Sequence, residues 1–479
     1  MKFSQLTLTT PYLKHHALFY DKVEPTPLEK PFLIAASQSA AELLGVDENL
    51  YEDEKLLGIL NGEEFLEGSE PFAMCYAGHQ FGYFVPRLGD GRAINLGKVN
   101  GYNLQLKGSG LTLYSRQGDG RAVLRSSIRE FLMSEAMHGL GIESSRAVAL
   151  IGSETDVRRE RVEKGAMVLR MSPTWVRFGT FEYFNAAGEF DRLKELADYV
   201  IEESFPHLRK DDDRYYKMYK EVVQNTAKTI AKWQAFGFNH GVMNTDNMSI
   251  DGRTIDYGPF SFLDDYDRYF TCNKTDTAGR YSFASQPSVG EWNLSMLART
   301  LSPLVPYART EELLEDVYRD VFEQEFSELM YAKMGLQEED EDDAKLYSWM
   351  LGALANAHID YTIFFRQLSY YDGDKTSVLD YAINKKPLKD WLDAYDERLR
   401  KEHLSVKERH IMMQSVNPKY VLKNFLLQET IEKAQNGDYN MLRELLELAH
   451  YPFDENLHLK HHYRAAPAEL KNSKLSCSS

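Results

Sequence analysis

The sequence predicts an α+β fold in two parts, a β-rich N-terminal lobe followed by a mainly helical C-terminal lobe. Three observations predict it. Residues 88–107 alternate apolar and polar positions on either side of Asn100-Gly101, the dipeptide that favours positive φ at both centres of a tight hairpin. Leu124, Ile128, Phe131 and Leu132 then switch to the i, i+4, i+7, i+8 stripe of an amphipathic helix. From Arg192 onward helical periodicity dominates, with strong candidates at 215–236, 311–334, 344–368, 387–403 and 419–436.

A chain of 479 residues is long enough for more than one core. Residues 1–80 read as an N-terminal extension packed on the first lobe, with a short helix at 37–44. The N-lobe covers 81–184, the C-lobe 185–471, and 472–479 read as a small, polar, flexible tail that carries Cys477. Within the N-lobe, Gly89-Asp90-Gly91-Arg92 makes a glycine turn. The hairpin follows, with Leu104 and Leu106 on one face of its return strand and Gln105 and Lys107 on the other. Asp119 is placed to cap the helix, and Glu130 falls off its apolar stripe. Lys107 and Glu130, 23 residues apart, are an expected ion pair. Residues 166–170 read as a further strand, and 171–184, with Pro173 and Gly179, as the connector between lobes. Glycine turn, hairpin, strand lysine and helix glutamate come in the order of the small lobe of a protein kinase, so a protein-kinase-like bilobal fold is expected.

Composition narrows the function classes. Apolar content of 43% with 29 tyrosines and 25 phenylalanines argues against disorder. A net charge of −17 excludes bulk electrostatic attraction to nucleic acid. The charge is unevenly spread: residues 84–180 hold 15 Lys and Arg against 9 Asp and Glu, an excess of +6 that leaves −23 elsewhere. A basic island in an acidic chain points to a small polyanion such as a nucleoside triphosphate. Three cysteines are too few for a secreted disulfide framework, and the opening residues lack the apolar core of a signal peptide. The longest uncharged apolar-rich run, 346–359, is too short to span a bilayer. A cytoplasmic protein without membrane contact is expected.

One non-helical stretch interrupts the second half, His240-Gly-Val-Met-Asn-Thr-Asp246-Asn247, followed by Ile255-Asp256-Tyr257-Gly258. Asn247 and Asp256, nine residues apart at strand ends, offer two hard oxygen ligands for a divalent metal that bridges phosphates. In kinase-like chains the catalytic aspartate lies five residues before that Asn. Here the position is Val242, which cannot accept a proton, so phosphoryl transfer by the usual base is disfavoured. Asp246 is the nearest carboxylate able to take its place.

Four segments carry a specific resemblance: QLKGSGLTLYSRQGDGRAVLRSSIREFLMSEAMHGLGI, VLRMSPTWVRFGTFEYF, HGVMNTDNMSIDGRTIDYGPFSFLDDYD and NPKYVLKN. The chain resembles the selenoprotein O family, kinase-fold proteins that transfer AMP from ATP to protein hydroxyls and bind ATP in the orientation opposite to kinases. The resemblance implies that Gly89, Gly91 and Arg92 form the phosphate loop and that Lys107 contacts phosphate and pairs with Glu130. It further implies that Asp119 and Gly120 line the nucleotide pocket, that Arg170 and Arg177 hold the terminal phosphates, and that Asp246 is the proton acceptor. Asn247 and Asp256 would bind Mg2+. The expected activity is Mg2+-dependent adenylylation of Ser, Thr or Tyr hydroxyls on protein substrates, with release of pyrophosphate. The alternatives are transfer of UMP with Mn2+, an ATP-dependent phosphotransferase, and a non-catalytic nucleotide-binding pseudokinase scaffold. A Cys272–Cys477 disulfide is an expectation drawn from the tail thiol and the redox associations of the family.

Other residues read more simply. Arg121, Arg125 and Arg129, spaced i, i+4, i+8, read as a solvated helix face, and the acidic run 338–343 as a solvated loop. Cys75 sits in apolar context and reads as buried. His461-His462 receives no role.

Overall fold

The computed structural model describes residues 1–476. It is an α+β structure, with its sheet in the N-terminal part and helices beyond it. The strands of that part are β1 (Tyr20–Lys22), β2 (Phe32–Ala36), β3 (Phe72–Met74), β4 (Gly78–Gln80), β5 (Tyr83–Val85), β6 (Ala93–Val99), β7 (Tyr102–Lys107), β8 (Ala122–Val123), β9 (Arg146–Arg158) and β10 (Val162–Ser172). An antiparallel sheet runs β1-β3-β6-β7-β10-β9-β2, with β8 paired to β10, while β4 and β5 form a separate small ribbon. The segment 1–80, expected as a packed extension, therefore supplies both edges of the sheet.

The β6–β7 hairpin follows the sequence pattern: Asn100 and Gly101 take φ of 47° and 83°, as a two-residue turn between twisted strands requires. Leu104 and Leu106 enter an apolar core beneath the sheet, shared with α1 (Gln38–Leu43) and α2 (Leu56–Leu60). Ser37 caps α1 by accepting from Ala40 N. The polar face of β7 is not solvated. Gln105 and Lys107 are both buried: Lys107 lines a cleft, and Gln105 bonds to Asp90, Asn95 and Arg170.

Helix α3 (Leu124–Gly139) crosses the other side of the sheet and is covered in turn by chain from the far end of the sequence. The C-terminal part begins with α4 (Phe178–Ala186), α5 (Phe190–Ser204) and α6 (Arg214–Phe236). It continues through α7 (Gln286–Thr300), α8 (Tyr307–Met334), α9 (Asp343–Ala357) and α10 (Tyr361–Leu368). Its last helices are α11 (Thr376–Leu379), α12 (Lys385–Leu399), α13 (Val406–Val416), α14 (Asn424–Gln435) and α15 (Asn440–His450). Gly237 and Gly335 end α6 and α8 in the left-handed conformation, φ 74° and 71°, which a residue without Cβ adopts freely. Two apolar cores hold this part together, one around α4–α8 and one around α8–α12. The small strands β11 (Phe238–Asn239) and β12 (Ser261–Phe262) pair across the polar stretch that carries Asp246, Asn247 and Asp256.

Several local expectations change. The helix expected at 344–368 is two helices, because His358 turns left-handed (φ 50°) and Asp360 caps a fresh start by accepting from Ile363 N at 3.1 Å. Within the acidic run, Asp343 is buried and opens α9, held by Arg398 at 2.6 Å. The arginine spacing does not make a solvated face. Arg121 precedes α3, Arg125 pairs with Glu163, and Arg129 is buried against Asn424 of α14 at 3.2 Å. Burial lowers the Arg129 pKa to about 10. The tail is docked as far as Leu475, whose backbone pairs with Cys272 and Lys274. Cys477, and with it the Cys272–Cys477 pairing, lies outside the described residues. Among those residues, no helix is long and apolar enough to cross a membrane.

Candidate functional site

A cleft of about 560 Å³ opens between the glycine turn, the loop after β7 and the β9–β10 hairpin. Gly89, Gly91, Arg92, Lys107, Asp119, Gly120, Arg170, Arg177 and Asp256 line it, so nine of the residues singled out from the sequence converge on one cavity. Glu130 and Asp246 stand just behind this lining, in contact with Lys107 and Arg177, and Asn247 follows Asp246 in the chain. Eight cationic side chains face the cleft against three carboxylates, and the guanidinium groups of Arg92, Arg116 and Arg158 have no hydrogen-bond or ion-pair partner among the described residues. Cations left unpaired in a concave site are a place for a polyanion.

The floor is a buried charge network. Lys107 Nζ lies 2.6 Å from both Glu130 Oε2 and Asp256 Oδ1, and Arg170 reaches Glu130 Oε1 at 2.7 Å. Sheet register sets this up: Arg170 of β10 pairs with Gln105 of β7, and both its Nε and a terminal nitrogen donate to Gln105 Oε1. The Trp175 ring backs the guanidinium at 4.5 Å. Burial alone would raise the Asp256 carboxyl, but Lys107, Arg170 and Arg177 outweigh it and hold it well below the usual carboxylate range. Asp256 is therefore a permanent anion, suited to a cation.

The glycine turn is fixed from beneath. Asp90, buried, accepts from Met74 N and Asn95 at 3.0 Å and from Gln105 at 3.3 Å. Gly89 has φ 127°, and a Cβ there would lie 2.3 Å from the Tyr114 ring. Opposite, Asp119 does not cap α3, which begins at Leu124. Its carboxylate accepts from Arg121 N and from Arg159 at 2.6 and 2.9 Å, joining the loop after β7 to the β9–β10 hairpin. Gly120 packs where a Cβ would lie 2.0 Å from the Gly110 carbonyl oxygen.

Asp246 sits in a 3₁₀ turn, Thr245–Asn247, at the inner end of the cleft. Arg177, which lines the cavity, donates to its carbonyl oxygen at 2.7 Å. Burial pushes the Asp246 carboxyl up to about 6, against the Gln80 hydrogen bond and the charge of Arg177. Gln80 Nε2 donates to Oδ2 at 3.1 Å, while Oδ1 is buried with no hydrogen-bond partner. A buried acceptor left open this way is a place for a substrate hydroxyl or a cation. Asn247 Nδ2 donates to the carbonyl of Val242 at 3.1 Å, so Val242 contributes its backbone where its side chain has no chemistry.

Strand β4 straps across this turn. His79 N donates to Thr245 Oγ1 at 2.6 Å, and the buried Glu182 of α4 receives both His79 Nδ1 (2.6 Å) and Thr245 Oγ1 (2.5 Å). A Cβ at Gly78 would lie 2.7 Å from Asp246 Oδ1, although the Gly78 backbone itself accepts any residue. Gly78→Ala is expected to displace the Asp246 carboxylate and lower kcat by about 10²-fold, the cost of a misplacement near 1 Å, with little change in Tm. Parallel kinetics and thermal melts check it; a large Tm loss instead would assign Gly78 to packing.

Sequence reasoning missed Gln80, His79, Glu182, Arg116, Arg158 and Arg159. The two adjacent arginines, Arg158 and Arg159, lie in the charge-rich stretch 154–164, whose fold over the cleft has no local signal. Gln80 meets Asp246, and His79 and Glu182 meet the adjacent Thr245, only through tertiary contact.

Comparison with known proteins places the chain in a family. The family model described as protein adenylyltransferase SelO matches residues 2–450. Proteins named protein nucleotidyltransferase YdiU are similar along their whole lengths: that of Myxococcus xanthus is 44% identical with 99% of each chain covered. Those of Pseudomonas fluorescens SBW25 (42% identical, 99% of each chain) and Aliivibrio fischeri ES114 (44% identical, 100% of this chain and 99% of the other) match as fully. The chain belongs to the SelO family and is an enzyme, a protein nucleotidyltransferase.

Proposed function

We propose that this enzyme transfers AMP from ATP to Ser, Thr or Tyr hydroxyls of other proteins and releases pyrophosphate, on a protein-kinase-like bilobal fold. The observation that carries the reading is the pairing of a cleft rich in unpaired cations with a buried carboxylate that has one open oxygen.

In the proposed reaction the acceptor hydroxyl oxygen bonds to the α-phosphorus, and the bond from that phosphorus to the β-bridging oxygen breaks. The hydroxyl proton passes to Asp246, whose raised pKa of about 6 makes it a better base than an exposed carboxylate while leaving it ionised near neutrality. Negative charge builds on pyrophosphate as it leaves. Lys107, Arg170 and Arg177, already oriented by Glu130, Gln105 and Tyr76, provide fixed positive charge for it, and the unpaired Arg92 adds to that charge. The glycine turn lets backbone approach the phosphates closely, and Asp119 and Gly120 shape the opposite wall. The oxygen donors Asn247 and Asp256 fit a hard divalent cation, so these two would hold Mg2+, or Mn2+ in its place. Bound there, the ion supplies charge neutralisation to the phosphates. A reaction fed by ATP suits a cytoplasmic protein.

Mass spectrometry of an acceptor protein, after incubation with ATP and Mg2+ or with UTP and Mn2+, tests the reading. The expected result is the mass of AMP on a hydroxyl side chain from the ATP reaction. A UMP adduct formed in preference would replace the nucleotide in this account, and a bare phosphate adduct would replace the reaction.

A further inference from the structure

His461 and His462 lie on a 3₁₀ turn, Leu457–His462, that packs against α15. Adjacent side chains on a turn usually diverge. Here both imidazoles reach one carboxylate oxygen: His462 Nε2 is 2.8 Å and His461 Nε2 3.6 Å from Glu444 Oε2. One nitrogen from each ring and one carboxylate oxygen all lie within 4.8 Å of one another. The two rings pack with centroids 3.9 Å apart. No part of the nucleotide chemistry uses these residues.

We propose that Glu444, His461 and His462 form a Zn2+ site that fastens the C-terminal segment to α15. Tetrahedral zinc with bonds of about 2.0–2.1 Å holds its ligand atoms ~3.3 Å apart, and the two measured separations from Glu444 bracket that spacing. The cation would enter with small side-chain shifts and without moving backbone. His462 is buried and fixes one ligand, whereas His461 is 60% exposed and leaves the fourth position to water. Two imidazoles with one carboxylate select zinc and its late first-row neighbours over Mg2+. The Asn247 and Asp256 oxygens have the opposite preference, so the two sites sort metals by donor type. His462 Nδ1 is buried without a hydrogen-bond partner, so no outer carboxylate strengthens that ligand. The affinity expected is moderate, below that of a closed structural zinc site.

The position gives the site a consequence. α15 packs on α3, the helix that carries Glu130, and the chain beyond His462 runs on to the backbone pairing of Leu475 with Cys272 and Lys274. Zinc at Glu444 would tie the start of that segment to the helix layer behind the sheet.

The test uses the full chain without an affinity tag, stripped with chelator and kept in Mg2+. Zn2+ is titrated by calorimetry and Co2+ by visible absorption. One equivalent of Zn2+ and a tetrahedral Co2+ spectrum are expected. Both should weaken by more than about tenfold in His461→Ala and in Glu444→Gln, since even losing an outer-shell partner costs that much. Binding should persist in Asp256→Ala and in His458→Ala, the latter removing only the neighbouring contact to Glu447. His461 is largely exposed, so its truncation spares the core, and circular dichroism checks that the variant is folded. The proposal is overturned by the absence of saturable binding. It also falls if binding survives both His461→Ala and Glu444→Gln, or is lost in Asp256→Ala or His458→Ala.

Discussion

Asp246→Asn is expected to lower kcat by about 10²–10⁴-fold, the range a positioned general base contributes, with little change in nucleotide KM. The amide has nearly the shape of the carboxylate, so the close approach of Gly78 and the Arg177 contact to the backbone carbonyl survive. What disappears is proton affinity. Removing Asp256, by contrast, strips Lys107 of one partner at 2.6 Å and a phosphate-side oxygen from the cleft, so binding and turnover should fall together. The split between kcat and KM in steady-state assays of the two variants separates the proposed base from the proposed metal ligand. Retained kcat in Asp246→Asn would move the base elsewhere.

The second large effect concerns stability. Glu135 of α3 is fully buried and receives five donors or rings: Arg146 through two nitrogens at 2.7 Å, Ser37 Oγ at 2.6 Å, Ala147 N at 3.2 Å and His450 Nε2 at 2.9 Å. It ties the sheet, α1, α3 and α15 together at one point. Glu135→Gln leaves the Arg146 guanidinium buried without its counter-charge and is expected to cost about 3–5 kcal/mol. Burial alone would raise the Glu135 pKa, but Arg146 and His450 bring it down to about 2. The folded value lies below the unfolded value of about 4.3, so this stabilisation is complete above the unfolded pKa and is lost as pH falls through the folded one. The group contributes on the order of 3 kcal/mol by this route. Urea unfolding midpoints should therefore differ widely between wild type and variant near neutrality and converge as pH falls from about 4 toward 2. A gap that stays constant with pH would show that shape, rather than charge, is what the glutamine lacks.

Much of the architecture is legible because its signals are local. The Asn100-Gly101 turn, the α3 stripe and the glycine caps of α6 and α8 each need only a few neighbouring residues. The Lys107–Glu130 pair is legible because a strand and the next helix bring it together. Where the sequence pattern misleads, a distant segment has covered a face. Arg129 looks like a surface arginine until α14, some 300 residues on, closes over it. Gln105 and Lys107 look like the wet face of a strand until Arg170 and Glu130 bury them. Asp119 has the spacing of a cap, but Arg159 claims it from across the cleft. The strap of Gly78, His79 and Gln80 over Asp246 carries no periodic signal, since its hydrogen bonds to Thr245, Glu182 and Asp246 all span about 100 or more residues.

The most direct measurement supplies ATP labelled at either the α or the γ phosphate, with Mg2+ and an acceptor protein, and follows the label on protein, with Asp256→Ala in parallel. The account predicts label on protein from the α position alone, lost in the variant. Label from the γ position alone would contradict it and make the enzyme a phosphotransferase with the nucleotide the other way round.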